Sequence, residues 1–491
     1  MKFRYLSDIP VAPEKDWFEV RFSELRKKVD ATPEEAPAEK WVELAEHWNE
    51  IKAVLSGEGS RRSWGESLDA RDEKASEAAT RYRSETDPVA VRANALLRKR
   101  FLGAKPRNAL EKKFGRTLTS LWECDEVGSD PRNVDLDVEA NNLYSTQYSR
   151  IRGTAEIDLD GEKKTITQLT NLGESPDAAL RQRAFEALAG FYRAKARDFD
   201  AIYSQLVALR TKAARNLGFS SFVPLGYKRM SRVDYGPEQV ARFRDQIEEH
   251  VVPLLEKLRL QQGGGAPVRA RDRNFFPEYS LPPGIVPVAG QVAAARKVYE
   301  RLHPKLARHF DHMVGRNLAD IDNRPGKRPG AFCTGMPDKD EIRIFCNSTG
   351  AASDVATLLH ECGHSFQGWE SLPIPLVELQ QPTYESCEIH SMGMEFLSFP
   401  HLDAFFANPD DARKFKRQHL AKVLVMLPYI AVVDAFQHEV YENPDMWPDE
   451  RAAAWARLWK RFMRGEDWSG HESEASRLWH RQLHVFGMPF Y

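Results

Sequence analysis

The run Asp354-Val355-Ala356-Thr357-Leu358-Leu359-His360-Glu361-Cys362-Gly363-His364 decides how the chain is read. It has the pattern of a helix, which puts residues 360 and 364 about one turn apart on one face. Two imidazoles on that face can reach a single ion. Glu361 follows the first histidine but is turned off the ligand axis, as suits a carboxylate that holds water beside a metal without binding the metal itself. Cys362 points largely away from both histidines and is excluded as a ligand. The bland alternative is a helix with unrelated polar residues. Histidine is scarce, 14 in 491 residues, so H-E-x-x-H arises by chance in roughly a few sequences per hundred, and the helical setting narrows that further. A metal site is the better reading.

A catalytic zinc takes three protein ligands and leaves a fourth position to water, so a neighbouring element must supply one more donor. The segment Tyr384-Glu385-Ser386-Cys387-Glu388-Ile389-His390-Ser391-Met392-Gly393-Met394-Glu395 can do so. Helical spacing there places Glu388 and Glu395 on one face, about two turns apart. Glu385, Glu388 and His390 compete for the role. Spacing leaves Glu385 and Glu388 nearly equal, since both could lie on a helix packed against the first. Just upstream of the metal motif, residues 330–334 and 341–346 read as two short strands joined by the Met336-Pro337-Asp338 turn.

The rest of the chain frames this site. With 42% hydrophobic residues in 491, it can bury a large core and is long enough for two or three domains. Seventy Lys and Arg against 72 Asp and Glu leave a net charge of −2, so nothing in the composition suggests a nucleic-acid or membrane partner. The N-terminus lacks the apolar core of a signal peptide and no later run reads as long enough to span a bilayer, so a cytoplasmic location is expected. Five scattered cysteines without C-x-x-C spacing read as reduced thiols. Helical periodicity fills Pro13 to about Leu121 and resumes over 178–217 and 237–260, before the exposed loop Gly263-Gly264-Gly265. Between the first two, residues 151–157 and 163–169 flank Asp160-Gly161 as a β-hairpin would. Ser175-Pro176-Asp177 then opens a helix, with Ser175 as N-cap and Pro176 at the first helical position.

Taken together, these segments resemble the thimet oligopeptidase and oligoendopeptidase F family of zinc peptidases, closest to its Pz-peptidase-like bacterial branch. In that family a helix bearing E-[IV]-x-S-x-x-x-E follows the H-E-x-x-H helix, and its first glutamate is the third zinc ligand. That maps onto Glu388-Ile389-His390-Ser391 and Glu395. Residues 324–333, Arg-Pro-Gly-Lys-Arg-Pro-Gly-Ala-Phe-Cys, are similar to the family's R-x-G-K-x-x-G-A-[FY] stretch, and the resemblance covers roughly 140–491. Residues 479–491 resemble the region where a histidine and tyrosines face the zinc; this implies His484 and Tyr491 as donors to the oxyanion formed on the scissile carbonyl. Asp434, His438 and Tyr441 match a D-x-F-Q-H-x-x-Y run; cleft-lining or support of the ligands is expected of them and of Glu395, with buried structural polarity an equal alternative for the three.

The resemblance implies a mainly α fold, two helical lobes around a deep substrate channel with a small β element beside the H-E-x-x-H zinc helix. The division expected is 1–195 for an N-terminal helical lobe with a hairpin near 150–169, and 196–491 for a catalytic lobe lacking the family's C-terminal tail, since relatives continue past the position of Tyr491. The function implied is zinc-dependent endopeptidase action on short unstructured peptides, with one Zn2+ held by His360, His364 and Glu388 and Glu361 as general base toward zinc-activated water. Two alternatives stand beside it. One is a zinc carboxypeptidase or aminopeptidase on a related scaffold, although the 23 residues between His364 and Glu388 suit the oligopeptidase pattern better. The other is a shortened peptide-binding member with weak or no turnover.

Overall fold

Phe18, Phe22, Leu25 and Val29 recur at three- and four-residue spacing along α1 (Lys15–Asp30), and all four are buried. Together with α2 (Ala38–Leu68), α3 (Asp87–Phe101) and α4 (Arg116–Gly128) they close on a first core. At its centre Trp48 stacks on Phe101, ring centroids 5.3 Å apart, and meets Trp122 at 5.0 Å. The computed structural model describes residues 3–384 and 386–491. Helix makes up 69% of the chain against a few small sheets, so the fold is mainly α as expected.

The hairpin is shorter than its sequence pattern. β1 (Ile157–Leu159) and β2 (Glu162–Lys164) pair antiparallel around Asp160 and Gly161, which sit at φ 57° and 86° and so form the tight turn. Ser149–Gly153 and Ile166–Leu172 are helical instead of strand. A capping box explains the second: Thr165 Oγ1 accepts from Gln168 N while Gln168 Oε1 accepts from Thr165 N, which starts a helix where the ladder would continue. The next helix, α5 (Ala178–Ala194), begins two residues later than expected. Asp177 caps it by accepting from both Ala179 N and Leu180 N, and Ser175 Oγ accepts from Asp177 N.

The lead-in to the metal motif is a three-stranded sheet. β3 (Ala319–Asp322), which sequence reading missed, runs parallel to the central β5 (Glu341–Ser348), and β4 (Phe332–Met336) runs antiparallel to it. After β5, Gly350 turns the chain at φ 92°, a region that favours glycine. Asp354 Oδ2 then accepts from Thr349 N, Gly350 N and Ala351 N at 2.6, 2.7 and 2.9 Å, fixing the entry to α7 (Ala352–Ser371). Val355, Leu358, Leu359 and Cys362 on α7 are buried in a second core with Ile344 and Cys346 of β5. α8 (Cys387–Leu397) crosses α7 at Gly363. A Cβ there would lie 2.6 Å from Ser391 Cα and 2.7 Å from His390 O. Only glycine admits that approach.

A third core joins the hairpin, α5 and α6 (Ala196–Asn216) to α9 (Pro409–Glu442) and α10 (Pro448–Phe462), and includes Trp479, Phe486 and Phe490. The division expected at residue 195 falls between α5 and α6, both of which contribute to this core. α9 corrects another expectation: by length and composition it is apolar enough to cross a membrane. Here its Val432, Val433, Phe436 and Val440 are buried in the third core. None of the five cysteines is in a disulfide. A cavity of ≈ 590 Å³ lies between the first helices and the C-terminal segment, bordered by Trp48, Lys52 and Arg98 on one side and Tyr144 and Gly487 on the other.

Replacing Gly363 by alanine sets a methyl group against backbone, which cannot yield as a flexible side chain would. Gly363→Ala should cost about 1–3 kcal/mol in urea unfolding of the metal-free protein; unchanged stability would mean that α7 and α8 are free to part.

Candidate metal centre

Helical phase and one close crossing assemble the centre. His360 and His364, one turn apart on α7, turn their Nε2 atoms toward Glu388 of α8. The Nε2 atoms are 3.2 Å apart, and Glu388 Oε2 stands 3.1 Å from His360 Nε2 and 3.4 Å from His364 Nε2. Donors around a tetrahedral zinc at ~2.0–2.1 Å stand about 3.3 Å from one another, so the triangle has the size of a zinc site. These three residues are the group whose ligand atoms all lie within 4.8 Å, among the described residues. Glu385, the other carboxylate considered for the third position, lies outside the described residues.

Each donor is oriented from behind. His360 Nδ1 is 2.8 Å from Glu395 Oε1, and His419 Nε2 of α9 stands 3.1 Å from Glu395 Oε2. His364 Nδ1 is 2.9 Å from His390 Nε2. Ser391 Oγ donates to Glu388 Oε2 at 2.6 Å and the Tyr491 hydroxyl donates to Glu388 Oε1. Burial works against charge on Glu388, yet hydrogen bonds from His360, His364, Ser391 and Tyr491 hold its carboxyl far below the usual range. Burial likewise opposes a proton on His360, but Glu388 and Glu395 raise it to about 10. Two carboxylates, Glu388 and Glu395, thus flank the imidazoles, and a divalent cation between the donors would balance their charge.

Glu361 is the odd member. It is buried, and its Oε2 has no hydrogen-bond partner among the described residues. Burial, with the nearby Glu388 and Glu395 charges, pushes its pKa up to about 8 against the attraction of His360. An unpartnered carboxylate oxygen beside three converging donors fits a site completed by a metal and water.

The C-terminal segment reaches the same place. His484 packs edge-on against Tyr491, ring centroids 4.6 Å apart. Its tautomer follows from its neighbours: Tyr429 Oη donates to Gln482 Oε1 at 3.0 Å, which leaves the Gln482 amide to donate to His484 Nδ1 at 3.1 Å. The remaining proton is then on Nε2. Burial lowers the His484 pKa to about 4, so the ring is a neutral donor at pH 7.

Asp434, His438 and Tyr441 touch none of the three donors. His438 Nε2 is 3.1 Å from Tyr227 Oη, Asp434 pairs with Arg244, and Tyr441 Oη accepts from Arg210 at 2.8 Å. His438 and Tyr441 border Phe490, whose ring lies 4.9 Å from the first and 5.7 Å from the second, while Asp434 stands 3.4 Å from His438 Nδ1. Phe490 sits at φ 71°, its N–H donating to buried Gln437 Oε1 at 3.0 Å and its carbonyl accepting from Arg232 at 2.8 Å. His438 and Tyr441 therefore border the residue that aims Tyr491. His419 and Gln482 were missed by sequence reading, because nothing local marks a residue whose partner, Glu395 for His419 and Tyr429 for Gln482, lies in another segment.

Residues 292–491 match the sequence model of Peptidase family M3, and residues 11–127 match the Peptidase M3 N-terminal domain, so the likeness reaches upstream of residue 140. A structure described as oligoendopeptidase F is 34% identical, covers 100% of this chain and 85% of its own, and superposes with a TM-score of 0.93. PZ peptidase A solved with an inhibitor gives 33% identity, 100% and 86% coverage, and a TM-score of 0.93. An oligoendopeptidase F from Bacillus anthracis gives 31% identity, 97% and 84% coverage, and 0.87. No curated protein sequence matches. Related along its whole length to solved oligopeptidases and matched by both domain models, this chain belongs to peptidase family M3 and is a metallopeptidase.

Proposed function

We propose that this chain is a zinc endopeptidase that cleaves short, unstructured peptides. The observation that carries the reading is the triangle of His360, His364 and Glu388 donors, 3.1–3.4 Å on its edges, beside the unpartnered Oε2 of Glu361. Zinc bound there would supply Lewis acidity, lowering the pKa of a water and polarising the scissile carbonyl.

The chain's own groups do the rest. Glu361 takes the water's proton as the oxygen attacks and returns it to the leaving amine. His484 donates from Nε2 to the carbonyl oxygen as that atom gains negative charge. The Tyr491 hydroxyl, bonded to Glu388 Oε1 before substrate enters, would exchange that bond for the same oxygen. Glu395 and His390 keep the two ligand imidazoles in the tautomer that offers Nε2 to the ion. The likeness to solved oligopeptidases, one of them with an inhibitor, supports short peptides as substrates.

Three outcomes are expected. Glu361→Gln should keep its zinc, measured by elemental analysis, while kcat on a quenched peptide falls by roughly 10²–10⁴-fold; full turnover in that variant would sink the base assignment. Glu395→Gln should weaken zinc binding by about 10–100-fold in chelator competition, because His360 loses its anionic partner. Chelation should abolish cleavage of a short quenched peptide and zinc should restore it, with little cleavage of a folded protein of similar local sequence; equal cleavage of both would contradict the cleft model.

A further inference from the structure

Buried arginines are ordinarily paired with acids, whereas buried Arg152 and half-buried Arg273 and Arg481 have no acid within ion-pair distance among the described residues. Arg481 packs its guanidinium over the Tyr192 ring, 4.7 Å from the centroid. Arg273 stands 5.7 and 5.4 Å from the rings of Trp459 and Trp468. Arg152 donates to Tyr148 Oη at 3.2 Å, and its buried Nε has no acceptor among the described residues. The acids nearby are committed: Glu466 to Arg259 at 2.8 Å, Asp200 to His480 at 2.9 Å and Asp449 to Arg477 at 2.7 Å.

The charges of all three bear on the Tyr429 hydroxyl. Burial, together with Arg273 and Arg152, pushes the Arg481 pKa down to about 10. Like charges that repel one another this way are retained at a cost that a bound anion would relieve. There is room for one. A cavity of ≈ 220 Å³ between α9 and α10 is lined by Arg273, Arg481, Tyr429 and Asn274, with the Arg259–Glu466 pair at its wall. The same Tyr429 hydroxyl starts the hydrogen-bonded thread through Gln482 to His484, so the cavity belongs to the wall that carries the oxyanion-side donor.

We propose that Arg273 and Arg481, flanking this cavity, form a subsite for a carboxylate of the peptide substrate. Guanidinium forks match a carboxylate in two parallel hydrogen bonds, and the group is the peptide's own C-terminal carboxylate or an acidic side chain. The inference rests on the peptidase reading and adds a preference to it. Arg152 supports the field from behind and need not touch the ligand.

The test uses four matched quenched peptides: free acid or C-terminal amide, each with Glu or Gln at one position beyond the cleaved bond. Wild-type protein should show a KM about tenfold lower for one charged member of a pair. In Arg481→Gln and Arg273→Gln that ratio should fall toward one, with Arg481→Lys retaining part of it. A response confined to the acid/amide pairs identifies the terminal carboxylate; one confined to the Glu/Gln pairs identifies a side chain. Equal KM values for charged and neutral peptides in wild type, or a ratio untouched by either variant, overturns the subsite. Anisotropy of the same peptides, fluorescently labelled, on zinc-loaded Glu361→Gln protein separates the two readings. A charge preference in binding without any cleavage by wild type would keep the subsite and remove the endopeptidase, while cleavage without preference would do the reverse.

Discussion

The close crossing of α7 and α8 at Gly363 is the contact on which the centre depends. Two histidines on one helix offer two donors and nothing more; the third donor and both partners of the imidazole Nδ1 atoms ride on α8. Gly363 lets the α8 backbone come within van der Waals reach, and at that separation Glu388, His390 and Glu395 all meet α7 side chains. A helix pair held at the usual 8–10 Å spacing by larger residues would leave Glu388 short of the histidines. The sheet beneath and the Asp354 cap then hold α7 against being pushed away.

How much could be read beforehand follows from the range of the interactions. The spacing of His360, Glu361 and His364 is a property of one helix, so sequence alone placed them. Glu388 was not separable from Glu385, because their difference depends on the phase and approach of a second helix, and resemblance to a family was needed to choose. Local chemistry also misled: the hairpin pattern around Asp160-Gly161 was right at its centre and too long at its ends, since Thr165 and Gln168 could cap a helix more favourably than extend a ladder. Asp177 outcompeted Ser175 as a cap because one carboxylate oxygen satisfies two backbone donors. Contacts such as His419 to Glu395, or Tyr429 to Gln482, leave no local trace.

The two sides of the centre are built differently. Metal donors sit on long helices packed into cores, where rotamers are few and side chains are clamped from behind. His484 and Tyr491 belong to a short terminal stretch whose register is set by Phe490, wedged among Phe222, Tyr227, His438 and Tyr441 and seated over Gly226, where an added Cβ would lie 2.5 Å from its ring. One helix face, Asp434 to Tyr441, thereby reaches the chemistry indirectly, by deciding where the aromatic wedge can sit.

That wedge holds Phe490 in left-handed backbone conformation at φ 71°, which costs a bulky residue roughly 1–2 kcal/mol. The stretch bearing the oxyanion-side donors is therefore docked less firmly than its aromatic contacts alone would give. The aim of those donors thus hangs on the backbone of one strained residue, whereas the aim of the metal donors hangs on helix packing.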